Sequence, residues 1–135
     1  MAKTQARARR KTRSLNIARM QAAQRVFVKA RDWEQFHTLK NLAVALSVEA
    51  SELLEILQWK TEADVEFALE SQPDRDRLAE ELSDVLYYLL RMADLGGFDL
   101  EAEFWKKMKK NQKKYPVRLS KGHARKWTEL TSKPK

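Results

Sequence analysis

The stretch L-A-V-A-L-S-V-E-A-S-E-L-L-E-I at residues 42–56 decides the fold class, because its apolar side chains recur with the period of an α-helix. Successive residues turn by about 100° around a helix axis, so five apolar side chains fall within about 60° of Glu49. These side chains are Leu42, Ala45, Leu46, Leu53 and Ile56. Glu49 therefore lies in the middle of an apolar stripe, and Glu52 lies on its flank, one turn away.

A second helical stretch, at residues 78–93, carries another pair of acids beside an apolar stripe. Glu81 and Asp84 border this stripe on one side, with Tyr88 next to them. Residues three apart on a helix project together, so each helix supplies one two-pronged carboxylate pair in the pattern E-x2-E-x28-E-x2-D. The stripe consists of Leu78, Leu82, Val85, Leu86, Leu89 and Ala93.

Four carboxylates on two helices that face each other repel, and an acid facing a core is costly unless it is compensated. The nearby helix faces offer only Arg77 and Arg91 as basic partners. A hard divalent cation is the other compensation, and clusters of oxygen ligands prefer magnesium or manganese. A di-iron site is disfavoured because Glu-x-x-His is absent, and His37 and His123 lie outside both pairs. An ordinary bundle with solvated acids stays open as the alternative.

The rest of the chain predicts an all-α bundle, because only three glycines and three prolines interrupt it and runs of β-branched residues are missing. The connector 31–40 and the polar, acidic segment 61–72, which is open to a helical turn, separate the predicted helices. We expect a helical domain over 14–116, a disordered basic stretch over 1–13 and an extended or disordered basic tail over 117–135. The four predicted helices run from Ser14 as N-cap to Ala30, from Leu39 to Lys60, from Pro73 to Gly96-Gly97, and from Asp99 as N-cap to just before Pro116.

The length of 135 residues is typical of one domain, and the lack of cysteine excludes disulfides and thiolate metal sites. No apolar run approaches the roughly 20 residues of a membrane span, and no apolar segment follows the basic N-terminus as it would in a secretory signal. We therefore expect a cytoplasmic protein without membrane contact.

The formal net charge of +8 hides an asymmetry, because residues 14–105 carry 9 basic and 18 acidic groups. Residues 1–13 carry six basic groups and no acid, and residues 106–128 carry ten basic groups and no acid. An acidic middle between basic ends suits a polyanion held by cations and by carboxylate-bound metal. It equally suits nucleic-acid binding by the tails.

Several segments in the same order resemble the MazG-like all-α NTP pyrophosphohydrolases, most closely the branch of dCTP pyrophosphatases. Besides the two carboxylate pairs, these segments are R-D-W-E-Q-F-H at 31–37, E-A-S-E-L-L-E-I-L-Q-W-K at 49–60, E-E-L-S-D-V-L-Y-Y-L at 80–89, K-K-M-K-K-N-Q-K-K-Y-P at 106–116 and R-K-W-T-E-L at 125–130. Together they span roughly residues 15–130. The basic stretch 1–13 has no counterpart in the resemblance.

The resemblance implies that the protein converts a nucleoside triphosphate to the monophosphate and pyrophosphate. The first candidate substrate is dCTP or a modified dCTP. The resemblance also implies that Glu49, Glu52, Glu81 and Asp84 hold Mg²⁺, with Mn²⁺ as the other candidate. It further implies a homo-oligomer, often a tetramer, in which neighbouring subunits complete each site. The implied substrate-binding residues are Trp33, His37, Trp59 and Tyr88 around the base and sugar, and Lys107 and Asn111 at the phosphates, with Arg125 or Lys126.

Hydrolysis of a phosphoanhydride also needs an activated water, and Glu52 is our candidate for orienting it or taking its proton. Two alternatives stay open at this point. One is a dUTP- or phosphoribosyl-ATP-type enzyme of the same superfamily. The other is a helical nucleic-acid-binding module that uses the basic ends, which leaves the embedded Glu49 unexplained. Trp33 and Trp59 can also be core or interface aromatics.

Overall fold

The computed structural model describes residues 14–130, and these residues form six α-helices and two short 3-10 helices without any strand. The all-α prediction is confirmed for this part of the chain. The predictions for 1–13 and for the last five residues lie outside the described residues. The helices are α1 (Ile17–Lys29), α2 (Leu39–Leu57), α3 (Glu62–Glu70), α4 (Asp74–Gly96), α5 (Leu100–Lys114) and α6 (Val117–Ser120), and the 3-10 helices span Glu34–Phe36 and Trp127–Glu129.

The chain divides into two compact units, one ending at Met92 and one beginning at Ala93, so the boundary falls within the last turns of α4. Helices α1 to α4 all contribute side chains to the core of the first unit. Its buried apolar residues are Val28, Leu42, Ile56, Ala68, Leu78 and Leu90. In the second unit Ala93 is buried, and α5 buries none of its side chains.

Two glutamines of α1 attach that helix to the backbone of α4. The side-chain amide of Gln24 donates to the carbonyl of Tyr87 at 2.7 Å. The amide of Gln21 donates to the carbonyl of Leu90 at 3.2 Å. These bonds fix the face that α4 turns toward α1, because a backbone carbonyl on a helix cannot move without the helix.

The helix ends follow ordinary capping chemistry, and two of them match the predictions. Asp99 accepts from the backbone N–H of Ala102 at the start of α5, as predicted. Gly97, with a φ of 68°, follows the end of α4 in the left-handed conformation that glycine tolerates. At α1 the cap is Asn16 and not Ser14, because the Asn16 side chain accepts from the N–H of Arg19.

The prediction of four helices is wrong by two, since α3 and α6 occur where connectors or extended chain were expected. Helix α3 begins with a capping box in which the Thr61 hydroxyl accepts from the N–H of Asp64, and the Asp64 carboxylate accepts from the N–H of Thr61. These reciprocal bonds stabilise a helix start in a segment whose composition is mostly polar. Helix α2 also ends three residues before the predicted Lys60.

The predicted apolar stripe of α4 needs a correction at two of its leucines. Leu82 and Leu89 are 56% and 41% exposed, whereas Glu81 and Tyr88, predicted to border the stripe, are half-buried. Helix α4 is thus covered on more than one side, since the buried Leu90 lies about 180° around the helix axis from Glu81. Among the described residues, no helix combines the length and apolarity that crossing a membrane requires.

Candidate functional site

Helices α2 and α4 bring three carboxylates together. Glu49, Glu52 and Glu81 each offer an oxygen, and these three oxygens lie within 4.8 Å of one another. Glu49 and Glu81 are half-buried and Glu52 is exposed. The cluster is therefore covered on one side and open to solvent on the other. A cation bound there would keep open coordination positions for a further ligand.

The pKa of Glu49 is raised above its ordinary value, first by burial and then by the charges of Glu52, Asp84 and Glu81. A hydrogen bond between the carboxyl groups of Glu49 and Glu52 raises this pKa further, because the two groups then share one proton. The negative charges thus disfavour full ionisation of the cluster.

The pKa of Glu81 is also raised, again first by burial and then by the charges of Glu52, Asp84 and Glu80, while Arg77 partly offsets the increase. Arg77, one of the two basic partners considered from the sequence, therefore acts on this carboxylate without neutralising the cluster.

A hard cation fits these residues on an independent ground, which is the environment of one oxygen atom. The Oε2 atom of Glu81 is buried and has no hydrogen-bond partner among the described residues. A buried carboxylate oxygen without a donor is costly, and a cation held by the three carboxylates would satisfy it. The ligands are all oxygen atoms, as the metals of the magnesium, calcium and manganese class prefer.

Asp84 does not belong to the three-carboxylate cluster. Its side chain is exposed and is not one of the three whose oxygens converge. Its charge nevertheless raises the pKa of Glu49, Glu81 and Tyr88, so the carboxylate acts on the same region. The predicted fourth ligand is thus a near neighbour of the cluster.

A tight turn after α1 presents Trp33. Asp32 has a φ of 53°, a left-handed conformation that is uncommon for a residue with a side chain, and the Gln35 amide donates to both its carbonyl and its carboxylate at 3.0 Å. The Trp33 ring meets Phe27 edge-on at 5.9 Å and lies 6.5 Å from the His37 ring. Trp33 keeps 43% of its surface exposed, so this aromatic is anchored at one edge and open at another.

The two other predicted aromatic residues have different environments. Tyr88 is half-buried, and its pKa is raised by burial and by the charges of Glu49, Tyr87 and Asp84, so its hydroxyl lies near the carboxylates. Trp59, after the end of α2, is 90% exposed. The interpretation of Trp59 as a core aromatic of its own unit is therefore wrong.

The predicted phosphate-binding residues all belong to the second unit. Lys107 and Asn111 lie on α5, and the Asn111 carbonyl accepts from the N–H of Tyr115 at the end of that helix. Arg125 and Lys126 precede the 3-10 helix at 127–129, whose Trp127 ring packs under the Lys114 ammonium at 4.9 Å. Their proposed contacts with phosphate remain predictions.

The sequence indicated Arg91 only as a basic partner for the carboxylates. Arg91 is 6% exposed, and its Nε donates to Nδ1 of His37 at 3.3 Å. The two residues are 54 positions apart in sequence, so no local pattern connects them. The sequence shows only that Arg91 lies between Leu89 and Ala93 on a different side of the helix from the apolar stripe, which does not indicate burial.

The helices and the cluster define a class: an all-helical protein in which carboxylates from two helices converge on a space suited to a hard cation. The MazG-like family model matches residues 44–130. The chain therefore belongs to the MazG-like family.

Relatives agree with this assignment. The protein is similar to the Rattus norvegicus protein named dCTP pyrophosphatase 1, with 45% identity over 104 residues, 77% of this chain and 61% of the relative. The Homo sapiens protein of the same name is 44% identical over the same shares of the two chains. The chain thus spans about three fifths of the length of these curated relatives.

A solved structure of a pyrophosphatase from Archaeoglobus fulgidus superposes with a TM-score of 0.69 at 39% identity. The superposition covers 78% of this chain and 96% of that structure. The likeness therefore extends over nearly the whole of the archaeal protein.

The carboxylate cluster predicts how stability depends on pH without metal. Since Glu49 and Glu81 have pKa values above the ordinary 4.5, the folded protein binds their protons more tightly than the unfolded chain does. Their contribution to the free energy of unfolding therefore falls as the pH rises above that value. We expect Glu81→Gln to raise the stability of the chelator-treated protein at neutral pH, measured by urea denaturation over a pH series.

The matched control is Glu66→Gln, which neutralises an exposed acid on α3 outside the cluster. In this variant the free energy of unfolding should change between acidic and neutral pH by the same amount as in the native sequence. A Glu81→Gln protein that is no more stable than the Glu66→Gln protein at neutral pH would contradict the proposed repulsion.

Proposed function

We propose that this protein is a magnesium-dependent nucleoside triphosphate pyrophosphohydrolase, with dCTP or a modified dCTP as the first candidate substrate. The observation that carries the proposal is the convergence of Glu49, Glu52 and Glu81 within 4.8 Å, with a buried oxygen on Glu81 that has no hydrogen-bond partner within residues 14–130. The two curated relatives named dCTP pyrophosphatase 1 support the choice of substrate.

The reaction adds water to a phosphorus of the α–β phosphoanhydride, breaks that P–O bond, and gives the nucleoside monophosphate, pyrophosphate and a proton. The metal, when bound, neutralises charge that develops on the phosphate oxygens. Glu49, Glu81 and Glu52 would hold it, and Asp84, whose charge acts on Glu49 and Glu81, is proposed as the fourth ligand.

We propose that Glu52 orients the attacking water or takes its proton, because this carboxylate is the exposed member of the cluster and is therefore in contact with solvent. It also lies beside Glu49, whose pKa is raised by the charge of Glu52. Tyr88 lies beside the same carboxylates and would border the sugar. Lys107 and Asn111, with Arg125 or Lys126, are proposed to hold the phosphates as cations and hydrogen-bond donors.

The assay for this proposal follows products. Incubation with dCTP and Mg²⁺ should yield dCMP and pyrophosphate, identified by chromatography, and a panel of canonical and modified dNTPs should rank dCTP or its modified forms first. Glu49→Gln, Glu52→Gln, Glu81→Gln and Asp84→Asn should each remove most turnover, because each removes a charge near the metal.

Glu66→Gln serves as the control, since it removes an acid of the same unit away from the cluster. Release of dCDP and inorganic phosphate would contradict the proposed bond cleavage. Near-normal turnover by Glu49→Gln would contradict the site.

For the base, we propose stacking on Trp33 and Trp59, which are 43% and 90% exposed. Binding of dCTP should quench tryptophan fluorescence, and Trp33→Ala should weaken binding by about 1–3 kcal/mol, the scale of base–aromatic stacking. Trp33→Phe, which keeps an aromatic face, should retain most of the affinity. If Trp33→Ala and Trp59→Ala both bind dCTP with the affinity of the native protein, neither ring contacts the base.

We also propose that the protein is a homo-oligomer, with a tetramer as the first candidate. The outer face of α2 carries Val44, Val48 and Leu54 at 56%, 48% and 64% exposure, and a groove of about 580 Å³ runs along it beside Glu52 and Glu55. A helix that is apolar on more than one side buries a second face, and closed symmetry is the usual way for a chain to cover such a face with a copy of itself.

Light scattering should therefore give a mass that is a multiple of the 15.8 kDa chain. Val48→Glu should lower this mass, because a charge then enters the covered face. Ala63→Glu, which adds the same charge on the exposed surface of α3, should not change it. A monomeric native protein with full turnover would exclude both the assembly and any site shared between subunits.

A further inference from the structure

Arg91 is the one charged side chain that is buried among the described residues, with 6% of its surface exposed. A buried guanidinium is costly unless its donors have acceptors. One acceptor is a histidine nitrogen, since the Nε of Arg91 donates to Nδ1 of His37 at 3.3 Å. This bond joins α4 to the turn that follows α1 and needs an explanation beyond packing.

The bond determines which nitrogen of His37 carries the proton. Arginine keeps its charge at every pH at which proteins fold, and its N–H groups can only donate. Nδ1 of His37 must therefore present a lone pair, because a protonated Nδ1 would be a second donor and could not accept the N–H of Arg91. A neutral imidazole with a free Nδ1 carries its proton on Nε2. The pKa of His37 is lowered by burial and by the charge of Arg91, which agrees with a neutral ring.

The His37 ring is also held through its backbone and its neighbour. Its N–H donates to the carbonyls of Trp33 and Glu34, each at 3.2 Å, at the end of the 3-10 helix. The ring centroid lies 6.5 Å from that of Trp33 at an interplanar angle of 37°. A planar base stacked on the exposed part of Trp33 would thus lie near the imidazole of His37.

We propose that Arg91 is a positioning residue that fixes His37 as an Nε2–H donor, and that this donor selects cytosine by pairing with its N3. Cytosine presents a lone pair at N3, whereas uracil and thymine present N3–H, which a second donor cannot pair with. The selection of the base rests on the proposed function, in which Trp33 and His37 line the base pocket. The tautomer of His37 does not depend on that function.

The tautomer is measured in the protein without substrate. The chain has two histidines, so His123→Gln leaves His37 as the single imidazole. Long-range ¹H–¹⁵N NMR at neutral pH should show Nε2 protonated and Nδ1 unprotonated, without averaging between the two. In Arg91→Gln, whose amide can turn either a donor or an acceptor toward the ring, the two nitrogens should move toward averaged shifts. A protonated Nδ1 or an averaged spectrum in the protein that retains Arg91 would overturn the positioning role.

Selection of the base is measured as the ratio of kcat/KM for dCTP to that for dUTP. Arg91→Gln should lower this ratio roughly tenfold or more, the scale of an unpaired buried donor, with most of the change in KM for dCTP. Arg19→Gln removes an exposed arginine of α1 and should leave the ratio unchanged. An unchanged ratio in a folded Arg91→Gln protein would overturn the selection.

A substrate analogue gives the same test without any substitution, should Arg91→Gln fail to fold. The triphosphate of 3-deaza-2′-deoxycytidine lacks N3, and the native protein should bind it roughly tenfold or more weakly than dCTP. Equal binding would overturn the selection by N3. Failure of the proposed function appears separately, as absence of turnover with every nucleotide. In that case the proposed selection of cytosine is also overturned, while the NMR result still tests the tautomer of His37.

Discussion

Repulsion among the three carboxylates of Glu49, Glu52 and Glu81 is the constraint around which the first unit is built. The oxygens lie within 4.8 Å of one another, and two of the three acids have raised pKa values because burial and their neighbours disfavour ionisation. Apolar contacts of α2 and α4 must hold the two helices together against this repulsion. The buried apolar side chains of these two helices within the unit are Leu42 and Ile56 of α2 and Leu78 and Leu90 of α4.

Much of this arrangement could be predicted from periodicity alone. Glu49 sits at a half-buried position within an apolar stripe, as the spacing of Leu42 and Ile56 around it indicates. The exposure of Leu82 and Leu89 could not be predicted, because an apolar stripe shows that a face will be covered and not which neighbour covers it. In the chain by itself these leucines face outward, and the half-buried positions belong to Glu81 and Tyr88.

Interactions between distant residues explain the other gaps. The bond of Arg91 to His37 spans 54 positions, and neither residue shows it in its local sequence. Helix α3 was missed for the opposite reason, since its signal was local but lay in capping and not in periodicity. The reciprocal bonds of Thr61 and Asp64 stabilise the start of a short helix within a segment that contains many polar residues.

Helix α4 relates the two kinds of chemistry proposed for the first unit. It carries Glu81 in the carboxylate cluster and Arg91 ten residues later, a rise of about 15 Å along the helix axis. This separation is on the scale of a nucleotide from its phosphates to its base, so a single rigid helix can set the distance between a metal and a group that recognises the base. The two ends need opposite charge, because the cluster must attract a cation while His37 must stay neutral to act as a fixed donor. With the guanidinium of Arg91 ten residues away from Glu81, the proposed control of the His37 proton would leave the carboxylates of the proposed metal site unneutralised.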